Sequence, residues 1–271
     1  MPVAQVHGTS LFYDKLGSGP AVLMIHGGPG YDHTYFRPEF DRLARRHELI
    51  YYDQRLSGRS GRPPIETFTI EQAAHDATGL LDQLAIGRAI VIGHSYGGFV
   101  AQEVALAHPD WVSGLALLDT TPGQLGRADD PDAYQGTPPP PELLDLLASV
   151  PESDAEYAAI AERTRPFLFH RVTGDELEPV FADTIYSADA LVRSMEVLGS
   201  WSAVDRLRDV HAPTLIVVGR HDIACSVSQS ERIARLIPNA VLEVVEKTGH
   251  FPWLEEPDLF FGILEDWIDH L

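Results

Sequence analysis

Six short stretches of almost unbroken apolar, β-favouring residues recur along the chain: Ala21 to His26, Glu48 to Asp53, Ala89 to Gly93, Gly114 to Asp119, Thr214 to Gly219 and Val241 to Val245. Strands with apolar side chains on both faces belong inside a parallel sheet whose two faces are covered by helices. Between them the pattern changes to a helical period. Ile70, Ala73, Ala74, Ala77, Leu80, Leu81 and Leu84 mark one face of a helix, and Thr69 with Gln72 has capping-box spacing at its start. Gly98 to Ala107, Ser226 to Leu236 and Pro257 to Leu271 predict further helices. Strands alternating with helices in this way predict an α/β sheet.

The alternation lapses between Pro122 and Ser200. That segment opens with Gly, Pro and Asp, contains the run TPPPPE, and then shows helical patterns without convincing strands. So long a stretch without structure is improbable inside a compact domain. The expected organisation is therefore a core of residues 1–121 and 201–271 carrying a helical lid, 122–200. The lid holds 15 Asp and Glu against 5 Arg, so half of the chain's formal charge of −20 lies in this short segment. Most such charges face water. The sharper alternative is that some of them line the lid's inner face and hold a cationic group.

Charge and composition exclude several classes. A net −20 repels nucleic acid and anionic membranes, and no basic patch offsets it. No run approaches the ~20 apolar residues needed to span a bilayer, and MPVAQVHGTS lacks a basic segment followed by an apolar one. A cytoplasmic protein is expected. The single cysteine, Cys225, has no internal disulfide partner, and no Cys/His spacing suggests zinc. Neither metal nor cofactor is expected.

Candidate chemistry centres on VIGHSYGG. Gly93-His94-Ser95-Tyr96-Gly97 satisfies G-x-S-x-G, directly after one predicted strand and directly before one predicted helix. A nucleophile elbow needs that context, because a strand delivers the serine, a sharp turn exposes it, and small neighbours tolerate the crowding. Serine requires a base to take its proton and a carboxylate to steady that base. In this architecture the order is Ser, then acid, then His, on loops after later strands. Asp222 follows the strand TLIVVG and His250 follows VLEVV, so Ser95, Asp222 and His250 form the candidate triad. The oxyanion would be received by the backbone N–H of Tyr96 and, from the glycines after AVLMIH, that of Gly28, with Gly27 as the lesser choice. His33, His94 and His221 border the site as shaping residues, and Asp53 and Arg55 are expected to pair within a loop.

The succession HGGPG, DQR, GHSYGG, GRHD and GHFP resembles the α/β-hydrolase superfamily, and HGGPGYDHTY with DQRLSGRS is similar to its prolyl aminopeptidase (proline iminopeptidase) branch. The resemblance implies a cofactor-free serine peptidase that removes an N-terminal proline or another small residue from a short peptide, with lid carboxylates recognising the substrate ammonium. Glu176, Glu178, Asp183 and Glu196 are the candidates for those carboxylates, and Trp201 for a pocket wall. Leu56 stands where the branch usually has glycine. GHSYGG is equally at home in esterases, lactonases and carbon–carbon bond hydrolases, so an esterase or lactonase acting on small uncharged acyl substrates is the alternative. A non-catalytic ligand-binding relative is the remote one.

Overall fold

The computed structural model describes residues 2–123, 140–171 and 174–271, with side chains from residue 177 onward in the last segment. Eight strands form one sheet in the order β1-β2-β4-β3-β5-β6-β7-β8. These are β1 (Val3–Val6), β2 (Thr9–Gly17), β3 (Ala21–Ile25), β4 (Glu48–Tyr52), β5 (Ala89–His94), β6 (Val112–Leu118), β7 (Thr214–Gly219) and β8 (Ala240–Val245). From β4 to β8 every neighbour is parallel, while β2 runs antiparallel to both β1 and β4.

All six strands expected from apolar runs are present. Their continuity has the expected cause: in β3, Leu23 and Ile25 pack into the core on one face and Val22 and Met24 into the core on the other. The sequence pattern missed β1 and β2. Their alternating or mixed burial reflects an antiparallel edge with one wet face, where polar residues interrupt the apolar signal.

Helices α1 (Ile70–Gln83) and α2 (Tyr96–Ala107) lie on the first face. The Thr69 hydroxyl accepts the Gln72 N–H at 3.0 Å, so the cap works as its spacing predicts. Between β6 and β7 the described chain is helical: α3 (Pro141–Leu147), α4 (Asp154–Thr164), a 3₁₀ turn (Arg165–Leu168), α5 (Gly174–Phe181) and α6 (Ala188–Leu198). An isolated bridge between Gly123 and Ser202, with Ala203 N–H donating to the Pro122 carbonyl at 2.8 Å, draws the two ends of this insertion together. The proline run lies largely outside the described residues. Helices α7 (Val227–Leu236), α8 (Pro252–Glu255) and α9 (Pro257–Asp269) complete the chain. No described helix is long and apolar enough to cross a membrane.

Candidate active site

Parallel strands deliver their following loops to one edge of the sheet, where sites of α/β folds are built. Gly27 and Gly28 follow β3, Ser95 follows β5, Asp119 follows β6, Asp222 follows β7 and His250 follows β8. Five strands therefore converge on one place.

Ser95 adopts φ +51° and ψ −119°, a strained conformation for a residue with a side chain. Its surroundings enforce it. The Ser95 N–H donates to the Leu118 carbonyl at 2.9 Å, and its own carbonyl accepts from the Thr120 hydroxyl at 2.8 Å. The flanking glycines are required by crowding, since a Cβ on Gly97 would overlap the carbonyl oxygens of Ile25 and His26. This is the geometry of a nucleophile elbow.

Asp222 Oδ2 accepts from His250 Nδ1 at 2.8 Å, and both side chains are buried. The other Asp222 oxygen accepts the N–H groups of Ala224 and Cys225 at 2.8 and 3.0 Å. With Nδ1 committed as donor, Nε2 of His250 is the nitrogen free to take a proton. The Ser95 hydroxyl lies beside the Cys225 thiol, which burial and then the Asp222 charge push well above the ordinary thiol value. Among the described residues Asp222, Cys225 and His250 have metal-ligand spacing, their donor atoms lying within 4.8 Å of one another. Those donors are already occupied: the carboxylate by three hydrogen bonds, the thiol by its own proton.

The backbone of His250 is held from both sides. Its N–H donates at 2.7 Å to the carbonyl of Leu168, which ends the 3₁₀ turn after α4, and its carbonyl lies 3.0 Å from Nε2 of His94. The other nitrogen of His94 lies 2.9 Å from the Tyr35 hydroxyl, which in turn accepts the Gly27 N–H. One set of donors satisfies every atom: Gly27 N–H to the tyrosine oxygen, Tyr35 O–H to His94 Nδ1, and His94 Nε2–H to the His250 carbonyl. Burial, then the His250 ring nearby, hold His94 well below the ordinary histidine value, so it stays neutral as this arrangement needs.

The same chain of bonds distinguishes the two oxyanion candidates. Gly27 has given its N–H to Tyr35, whereas the N–H groups of Gly28 and Tyr96 have no acceptor among the described residues. Gly28 has φ +55°, and a Cβ there would collide with the Tyr31 ring, so the loop demands glycine on two counts.

Asp53 and Arg55 do not pair with each other within the loop, because each has a partner elsewhere: Asp53 bonds His33 Nδ1 at 2.6 Å and accepts the Arg59 N–H at 2.8 Å, and Arg55 forms a buried ion pair with Asp76 of α1. The exposed His221 stacks on His170 at 3.8 Å between ring centroids.

The expected substrate contacts do not assemble. Trp201 is buried, edge-on to Phe99 at 5.3 Å, with its indole N–H on Glu103 Oε2 at 3.1 Å. It is a core residue, because a buried indole N–H needs an acceptor and Glu103 supplies one. Glu178 and Asp183 are exposed, and Glu196 pairs at the surface with Arg193 at 3.0 Å. These carboxylates face water instead of a substrate ammonium, as isolated charges prefer. The Glu176 side chain lies outside the described residues.

The structure puts aromatic rings and one arginine near the site instead. Tyr31, against Gly28, packs on Tyr186 at 4.9 Å and on Tyr157 at 5.8 Å, and the Tyr157 hydroxyl donates to the Pro29 carbonyl at 2.6 Å. Arg165 bonds the Tyr186 hydroxyl at 3.0 Å and lies over Phe181 at 4.2 Å, while its Nε is buried without an acceptor among the described residues. Phe181 packs on Phe251, next to His250, at 5.7 Å. Sequence reasoning missed Tyr35, Arg165 and Asp119. Only Asp119 carried a signal, as an acidic residue closing an apolar strand.

A family model for the alpha/beta hydrolase fold matches residues 20–257. The chain belongs to that family. This α/β-hydrolase is 28% identical over 277 residues to a protein named putative carbamate hydrolase RutD from Azorhizobium caulinodans, with 97% of each chain covered. It is 25% identical to a proline iminopeptidase of Saccharolobus solfataricus, covering 98% of this chain and 91% of the other. The enol-lactonase of Burkholderia xenovorans LB400 superposes on it with a TM-score of 0.79 at 25% identity, covering 99% of this α/β-hydrolase and all of the lactonase.

Proposed function

We propose that this hydrolase cleaves small carboxylic esters or lactones through an acyl-enzyme on Ser95. His250 Nε2 takes the Ser95 proton as Oγ attacks the acyl carbon, while Asp222 orients the imidazole and balances the imidazolium that forms. The N–H groups of Gly28 and Tyr96 receive the developing oxyanion, and the lost bond of one such donor typically costs ~10²-fold or more in rate. His250 then returns the proton to the leaving alkoxide. Water attacks the acyl-enzyme by the same route and releases the acid.

The observation that supports the ester reading is the cluster packed against Gly28 and Phe251: Tyr31, Tyr186, Phe181 and Arg165, whose cation disfavours an ammonium substrate nearby. Relatives named a putative carbamate hydrolase and an enol-lactonase are consistent with acyl chemistry of this kind. The second reading, removal of an N-terminal proline, is supported by the HGGPG and DQR stretches and by the iminopeptidase relative. Turnover of 4-nitrophenyl butyrate against proline 4-nitroanilide, with Ser95→Ala as the blank, separates them. The ester reading expects the butyrate to be the better substrate. Faster release from the anilide, abolished by acetylating its amine, gives the site to the aminopeptidase.

A further inference from the structure

Asp119 lies one residue beyond β6, at φ +45° and without solvent exposure. Its backbone N–H donates to the Val217 carbonyl at 2.8 Å, and its Oδ1 accepts the Gly219 N–H at 2.9 Å, so two bonds lock it onto the end of neighbouring β7. That strand's following loop carries Asp222, whose carboxyl the Asp119 carboxyl faces. The remaining Asp119 oxygen, Oδ2, is buried with no donor among the described residues. The oxygens of Asp222 already accept from Ala224, Cys225 and His250.

Two carboxylates side by side, one with an oxygen lacking any donor, are a costly arrangement in a buried site. A proton between them removes the cost. We propose that Asp119 carries this proton and donates it to the Asp222 carboxylate, making the acid arm of the site a two-carboxyl unit with one negative charge and Asp119 a positioning residue for His250. The inference rests on the reading of Asp222 as the partner of His250.

The electrostatics point the same way. Burial first, and the Asp222 charge next, raise Asp119 well above the usual carboxylate range, with Glu255 of α8 acting in the same direction and the Gly219 N–H opposing them. The Cys225 thiol is held neutral by burial and by the Asp222 charge. The single negative charge therefore stays on Asp222, where the imidazolium forms. A lateral hydrogen bond fixes the carboxylate plane that His250 Nδ1 must meet.

Infrared spectra of the whole protein at pH 7 test this without any substrate. Wild type minus Asp119→Asn should show the C=O stretch of a protonated, buried carboxylic acid, and a difference containing only ionised carboxylate bands overturns the proposal. Thermal unfolding gives a second reading. Above the unfolded value of ~3.9, the unfolded chain has released the Asp119 proton while the native chain keeps it, so this group makes wild type less stable as pH rises. The Tm difference between Asp119→Asn and wild type should grow in the variant's favour from about pH 4 to 8; a constant difference contradicts it. Kinetics supply the positioning test. Asp119→Leu, which has no donor, should lose about tenfold or more in kcat, and Asp119→Asn, which keeps one, distinctly less. Equal losses in both refute the positioning role. Should no ester be turned over while the acid band is present, the ester reading fails and the shared proton stands.

Discussion

The hydroxyl of Tyr35 stands 2.9 Å from Nδ1 of His94, and through that contact the loop bearing Gly28 is tied to the backbone of His250. The proposed oxyanion donors and the proposed base thus share one buried support. Tyr35→Phe would leave the Gly27 N–H and His94 Nδ1 buried without partners, at about 1–3 kcal/mol of stability for a group so stranded. Denaturant midpoints should show that loss, and kcat/KM on an aryl ester should fall about tenfold, since a shift of the base or of an oxyanion donor weakens the transition state. Lost stability with unchanged kcat/KM would show that the support does not reach the chemistry.

His94 gives a pH prediction. Its proton affinity is lowered in the folded chain, so below the free-histidine value of ~6.5 the unfolded chain takes up a proton that the native chain refuses. Its contribution is intact above that value and is lost as pH falls toward the folded one. Unfolding of wild type and His94→Gln at pH 7 and pH 5 checks this. The wild-type Tm should drop further on acidification than that of the variant, and parallel curves would contradict a neutral, buried His94.

Trp201 is predicted to matter for stability and not for turnover. Trp201→Phe removes the bond to Glu103, which still keeps Arg206 at 2.8 Å, and trims a ring packed on Phe99. A stability loss of about 1–2 kcal/mol is expected, with kcat/KM changed less than about twofold. A large rise in KM would return this residue to the pocket wall.

Much of this site was legible because it is built where strands end. Continuous apolar runs identify parallel strands, and a residue just past such a run is carried to the shared edge. Ser95, Asp222 and His250 could therefore be named together from order alone. Leu56 is instructive in another way. It has φ +67°, which explains the glycine usual at that place in the branch it resembles, and its side chain is buried in the core. The helical segment between β6 and β7 was less legible. Acidic content shows how many carboxylates a helix carries but not which way it turns, and Glu178, Asp183 and Glu196 all face outward. Arg165 and Tyr35 gave no sequence signal because their roles come from long-range contacts, such as Tyr35 with His94, 59 residues away.

The central claim, that Ser95 is the nucleophile of an acyl-enzyme, is tested most directly by mass spectrometry after treatment with a fluorophosphonate. The account predicts one adduct, on the peptide containing Ser95, and none on Ser95→Ala. An adduct on another serine, or labelling that survives the substitution, would contradict it.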